Sequence, residues 1–158
     1  MNQLIEYRER LVNRLEEATR EFRAACLAVA KPDESVGADG WSVRQIVVHV
    51  RDVDGLVYGE RVRRTLSEDS PAFLNFDGDA YMREHYEPGE ALDSILDQLA
   101  ASISGLVTTL RKLPPEGWSR ESSHEVEGGG LTVQTWVERG LGHIEEHLQT
   151  VKTALQRG

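Results

Sequence analysis

Apolar residues recur at helical spacing through most of this chain, and that periodicity limits its fold more than any other feature. From Leu4 to Val29 they fall at Leu4, Leu11, Leu15, Ala18, Phe22, Ala25, Cys26 and Val29, one stripe at spacings of three, four and seven. Glu6 with Arg10 and Glu16 with Arg20 stand four apart, in the favourable orientation, on the wet face. Lys31-Pro32 and the Gly37/Gly40 stretch end this helix. A second helix starts at Ser42, a good N-cap. Gln45 completes a capping box, and Trp41 is placed to staple against Ile46. It runs through His49, Val53 and Val57 towards Leu66.

The segment from Ser67 to Glu87 is too long for a bundle turn and reads as a crossover, with a short helix over Asp77 to His85. Pro88-Gly89-Glu90 opens a third helix, with its stripe at Leu92, Ile95, Leu96, Leu99, Ile103, Leu106, Val107 and Leu110, and Pro114-Pro115 stops it. A Ser-, Glu- and Gly-rich loop is expected from Glu116 to Gly130. Thr132 then caps a fourth helix that continues through Trp136, Leu141, Ile144, Leu148 and Val151 to Leu155. Four amphipathic helices of roughly 20 or more residues with one long connection predict an all-α four-helix bundle.

A length of 158 residues suits one domain over positions 1–158. The 27 acidic against 18 basic side chains give a net charge of −9, which repels phosphate backbones. The one basic cluster, Arg61-Val62-Arg63-Arg64, is short, so no nucleic-acid partner is expected. No apolar run approaches the ~18 residues of a spanning helix, and the N-terminus lacks the basic-then-apolar form of a signal peptide. Cys26 is alone, so neither an internal disulfide nor a Cys-x-x-Cys site can form. A cytoplasmic protein without a membrane partner is the expectation.

The densest chemical signal is His143-Ile144-Glu145-Glu146-His147. Histidines four apart on a helix lie one above the other, so both imidazoles can reach one metal ion. Solvated surface histidines are the plainer alternative. The same residues fit H-x-x-E-H, the inverted zinc-protease pattern, but no matching substrate-binding strand accompanies them. His49, two turns into the second helix among Ile46, Val50 and Val53, is the natural third ligand; a satisfied core histidine is its alternative. Three neutral imidazoles with an open position keep a divalent metal reactive. Measured from their caps, His49 and the His143/His147 pair differ in depth by about 6–12 Å, which helix stagger has to absorb.

Asp52 and Glu146 follow the histidines closely and are the candidate catalytic carboxylates, with solvated side chains as the alternative. His85 and His124 read as surface histidines. Phe73, Phe76, Tyr81, Tyr86 and Trp118 are either a pocket mouth or apolar loop anchors. Gly140 and Gly142 leave room either for a neighbouring helix or for a ligand.

Trp41-Ser42-x-x-x-Ile46-x-x-His49, Leu131-Thr132-Val133 and His143-x-x-x-His147, with the loop from Pro71 to Asp77, resemble the DinB-like superfamily over essentially the whole chain. That superfamily includes YfiT-type metal-dependent hydrolases and bacillithiol- or mycothiol-dependent S-transferases. The resemblance implies an up-down-down-up bundle, a homodimer, and His49, His143 and His147 on one divalent metal, zinc or nickel. It also implies a small-molecule substrate and either a low-molecular-weight thiol or water as the activated nucleophile. Arg44, Arg51, Arg83 and Arg139 are candidates for a basic patch that would receive an anionic thiol. A non-catalytic metal-binding or stress-related bundle, or an interaction module whose histidines bind nothing, are the competing readings.

Overall fold

The first apolar stripe becomes α1 (Asn2–Leu27), which packs between α5 (Leu92–Arg111) and α7 (Val133–Gln156) in a computed structural model describing residues 2–37 and 39–157. The fourth side of the bundle is one bent rod: α2 (Val43–Val53), a π-helical turn (Asp54–Tyr58) and α3 (Gly59–Ser67). This rod touches α5 along one flank and α7 along the other, closing a ring of four around the core. Phe22, Ile46, Val50, Ile95, Leu99, Trp136 and Ile144 are almost wholly buried at its centre. These four sides make the four-helix bundle that the stripes predict, in the up-down-down-up topology that the resemblance implies.

The helix starts follow capping chemistry. Ser42 Oγ accepts from the Gln45 N–H at 3.2 Å while Gln45 Oε1 accepts from the Ser42 N–H at 2.8 Å. Thr132 Oγ1 caps α7 by accepting from the Thr135 N–H. In the crossover, Asp77 caps α4 (Gly78–His85) through the Ala80 N–H. The helix ends differ from expectation in detail. α1 stops at Leu27, before Lys31-Pro32, and α5 begins at Leu92 because Ala91 is still extended.

The larger difference lies in the segment expected to be a loop. It holds a short helix, α6 (Pro115–Trp118), then strands β2 (Glu121–His124) and β3 (Gly128–Thr132). Together with β1 (Ala72–Phe73) of the crossover they form a three-stranded sheet in the order β1-β2-β3. β1 runs parallel to β2 with Phe73 opposite His124, and β2 runs antiparallel to β3 with Ser122 opposite Leu131. The strand escapes apolar-alternation rules because its inward residues are polar. Ser122 is buried but donates to Leu131 O and accepts from Trp136 Nε1, so its hydroxyl is satisfied. Gly128 and Gly130 supply the positive φ angles, 86° and 77°, that the hairpin requires. Arg120 then ties the sheet to the bundle by donating to Thr65 O and Glu68 O at the end of α3.

Candidate metal centre

His49 stands on α2, held in register by the Ser42 capping box, and His143 and His147 stand on successive turns of α7. The helices are staggered enough to absorb the depth offset. His143 Nε2 lies 3.0 Å from His49 Nε2 and 3.2 Å from His147 Nε2. One ligand atom from each imidazole falls within 4.8 Å of the others. Metal–nitrogen bonds of about 2.0–2.1 Å at tetrahedral angles would set such nitrogens about 3.3 Å apart, so the donor set fits a zinc-sized ion. Burial lowers the pKa of His49 to about 4 and of His143 to about 3, and the His147 imidazole adds to both effects. Burial lowers that of His147 too, opposed by the Glu146 and Asp39 carboxylates. All three rings are therefore neutral at pH 7 and keep the lone pairs a metal needs.

Neighbours hold the rings in place. Trp41, expected to staple the helix start, sets its ring edge-on to His49 at 4.8 Å. Gly78 of α4 covers the other side so closely that a Cβ there would stand 3.1 Å from His49 Cε1. The Tyr58 ring sits 5.8 Å from that of His143. A Cβ on Gly140 would stand 3.2 Å from Tyr58 Cβ, so that glycine serves close packing, whereas Gly142 faces open space.

The π turn decides what else reaches this place. In an unbroken α-helix, Arg61, twelve residues after His49, would stand about 120° round from it. One extra residue in the turn takes back about 100° and brings Arg61 to the face of His49. The result is a cleft of about 280 Å³ with His49 and His143 in its lining. Val53, Val57 and Phe76 make its apolar wall, while Tyr58, Arg61, His124, Glu127 and Arg139 bring polar groups to it. Arg139 is paired with Glu127 at 2.8 Å, which holds that carboxyl below its usual range. Burial raises the Tyr58 hydroxyl pKa, against the opposing pull of Arg61 and Arg139.

The other predicted residues fall as follows. Asp52 and Glu146 do not line the cleft. Asp52 pairs with Arg51 at 3.0 Å, and its burial raises its pKa against that pairing; Glu146 is exposed. His85 is exposed and stacks on Tyr81, as a surface histidine should. His124 corrects the surface reading: it is only 6% exposed and faces the cleft, because β2 points it inward. Its Nδ1 accepts from the Val126 N–H, which leaves Nε2 to carry a ring hydrogen. Of the four candidate arginines, Arg139 lines the cleft, whereas Arg44 and Arg51 pair with Asp33 and Glu90 outside it. Arg83 lies in a separate hollow beside Tyr86 and Trp41. Phe76 is the one candidate aromatic on the cleft; Phe73 and Trp118 are buried anchors. Tyr58, Arg61 and Glu127 carried no signal in the sequence, because a π turn and a polar hairpin place them.

Residues 3–151 match the family model described as the DinB superfamily. Among solved structures the chain is similar to YfiT from Bacillus subtilis, described as a probable metal-dependent hydrolase with an unusual four-helix bundle topology. That likeness has a TM-score of 0.86 at 21% identity, over 96% of this chain and 87% of the other. At such identity it establishes the fold. No curated protein matches the chain.

Proposed function

The chain belongs to the DinB superfamily, and from that membership we propose that it is a divalent-metal enzyme working on a small molecule in the cleft beside His49, His143 and His147. The observation that carries this reading is the convergence of three neutral imidazoles at the edge of an open cleft. When bound there, zinc or nickel supplies Lewis acidity and lowers the pKa of water or of a thiol in its open position. Water gives hydrolysis, in line with the description of YfiT. A low-molecular-weight thiol such as bacillithiol or mycothiol gives S-transfer. That thiol has to come from outside, because Cys26 is buried and its pKa is pushed up to about 12.

The chain's own residues have separable tasks. The imidazoles stay uncharged through burial, and the Glu146 and Asp39 carboxylates raise the basicity of His147 from outside the cleft. Asp52, turned onto Arg51, acts at most through its field. The Tyr58 hydroxyl and the Nε2–H of His124 are hydrogen-bond donors on the cleft wall. Among the described residues no helix is long and apolar enough to cross a membrane, and a cytoplasmic homodimer is part of the same proposal.

Elemental analysis of tag-free protein tests the reading, beside His49→Ala and His143→Ala. About one equivalent of zinc or nickel per chain, lost in both variants, is expected. Turnover of an activated ester without thiol, against conjugation of an electrophile with thiol, then separates hydrolysis from transfer. Protein that stays metal-free under replete conditions overturns the proposal. A full equivalent of metal with neither reaction leaves the alternative, a non-catalytic metal-binding module.

A further inference from the structure

Arg61 is a cation with only 7% of its surface exposed and, among the described residues, no carboxylate within ion-pair distance. Its guanidinium lies over the Trp136 ring at 4.7 Å and near that of Phe73 at 5.6 Å. It donates to Leu74 O at 3.1 Å. Those contacts use one of its five N–H donors, and the side chain opens on the cleft. Burial holds the guanidinium pKa below its usual value, and the nearby Tyr58 and Glu127 oppose that shift only in part. An apolar side chain could fill the same space without that penalty.

The wall around it repeats the pattern. Arg139 contributes a second cation and Glu127 the one carboxylate among the cleft's lining residues, leaving one net positive charge in a chain of net charge −9. His124, with Nδ1 held by the hairpin backbone, carries an Nε2–H that no other described group accepts. We propose that this cleft is a carboxylate-binding site, in which Arg61, Arg139 and His124 receive the anionic end of a small organic substrate whose body lies on Val53, Val57 and Phe76. A planar carboxylate matches the guanidinium fork, and one negative charge balances the wall. This assignment rests on the cleft being the substrate site, and it places the neutral, reacting part of that substrate towards His49 and His143.

The probe is benzoate, whose ring suits the apolar wall, with benzamide as its uncharged counterpart. Ligand-observed NMR titration at pH 7 is run on protein as purified and after chelation, with metal content measured on the same samples. Benzoate should bind both forms, and benzamide ten-fold or more weaker. Arg61→Gln and Arg139→Gln should each weaken benzoate ten-fold or more without changing metal content, while Arg61→Lys keeps part of the affinity. Arg139 lies on the open side of the wall, so its variant keeps the test valid if Arg61→Gln fails to fold. Benzoate affinity indifferent to Arg139→Gln, benzamide binding as tightly as benzoate, or no benzoate binding to the wild type would each overturn the assignment. Arginine-dependent benzoate binding to protein that holds no metal would leave this site standing and sink the metal reading. Benzoate binding that disappears on chelation and ignores both arginines would do the reverse.

Discussion

Three imidazoles kept neutral by burial make the metal-free protein sensitive to mild acid. In the unfolded chain each histidine takes up a proton near pH 6.5. In the folded chain His49 does so only at about 4 and His143 at about 3. Between those values the unfolded state binds more protons, so stability rises with pH across the window. The contribution is complete above about pH 6.5 and is lost as pH falls, towards about 4 for His49 and about 3 for His143. Chelated wild type should therefore show a Tm that is level above pH 6.5 and falls below it. His143→Gln, lacking one of these groups, should fall less steeply, and the difference between the two curves removes the shared carboxylate contribution. Parallel curves would mean that His143 is not buried in its neutral form.

The π turn is the element on which the cleft depends, and Gly59 is its weak point. The Gly59 N–H closes the wide turn onto Asp54 O, and a Cβ on Gly59 would stand 2.7 Å from that carbonyl oxygen. In an ordinary helix, Gly→Ala gains up to about 1 kcal/mol. Here the clash with backbone should reverse the sign, and Gly59→Ala should lose about 1–3 kcal/mol by thermal or urea unfolding. A stabilised variant would show that the turn relaxes to α geometry without strain. The same element explains what the sequence left hidden. The Ser42 capping box, the Thr132 cap and the four stripes were legible because each is a local rule; the His143/His147 pair followed from helical spacing, and His49 joined it through its apolar flanks and the family resemblance. Asp54 to Tyr58 reads as plain helix, so nothing in the sequence turned Arg61 towards His49. His124 was hidden for a related reason: Ser122 and His124 are buried polar residues satisfied by hairpin partners, and binary patterning scores them as loop.

At the scale of the whole molecule, the triad clamps two sides of the helical ring. His49 belongs to the α2–α3 rod and the other two imidazoles to α7, and α1 and α5 complete the circuit on the far side. An ion held by all three joins elements far apart in sequence, and the unfolded chain does not present those nitrogens together. Metal that binds the folded state alone adds RT ln(1 + [L]/Kd), about 4.1 kcal/mol when free metal is a thousand times Kd. For a chain of this length each kcal/mol moves Tm by about 2–4 °C, so chelation at pH 7 should lower it by about 8–16 °C. Readding zinc or nickel should restore the lost stability. His143→Ala should start near the chelated wild-type value and respond little to chelator or to added metal. A chelator-induced shift in that variant as large as in the wild type would place the stabilising ion away from the three imidazoles, whatever the elemental analysis returned.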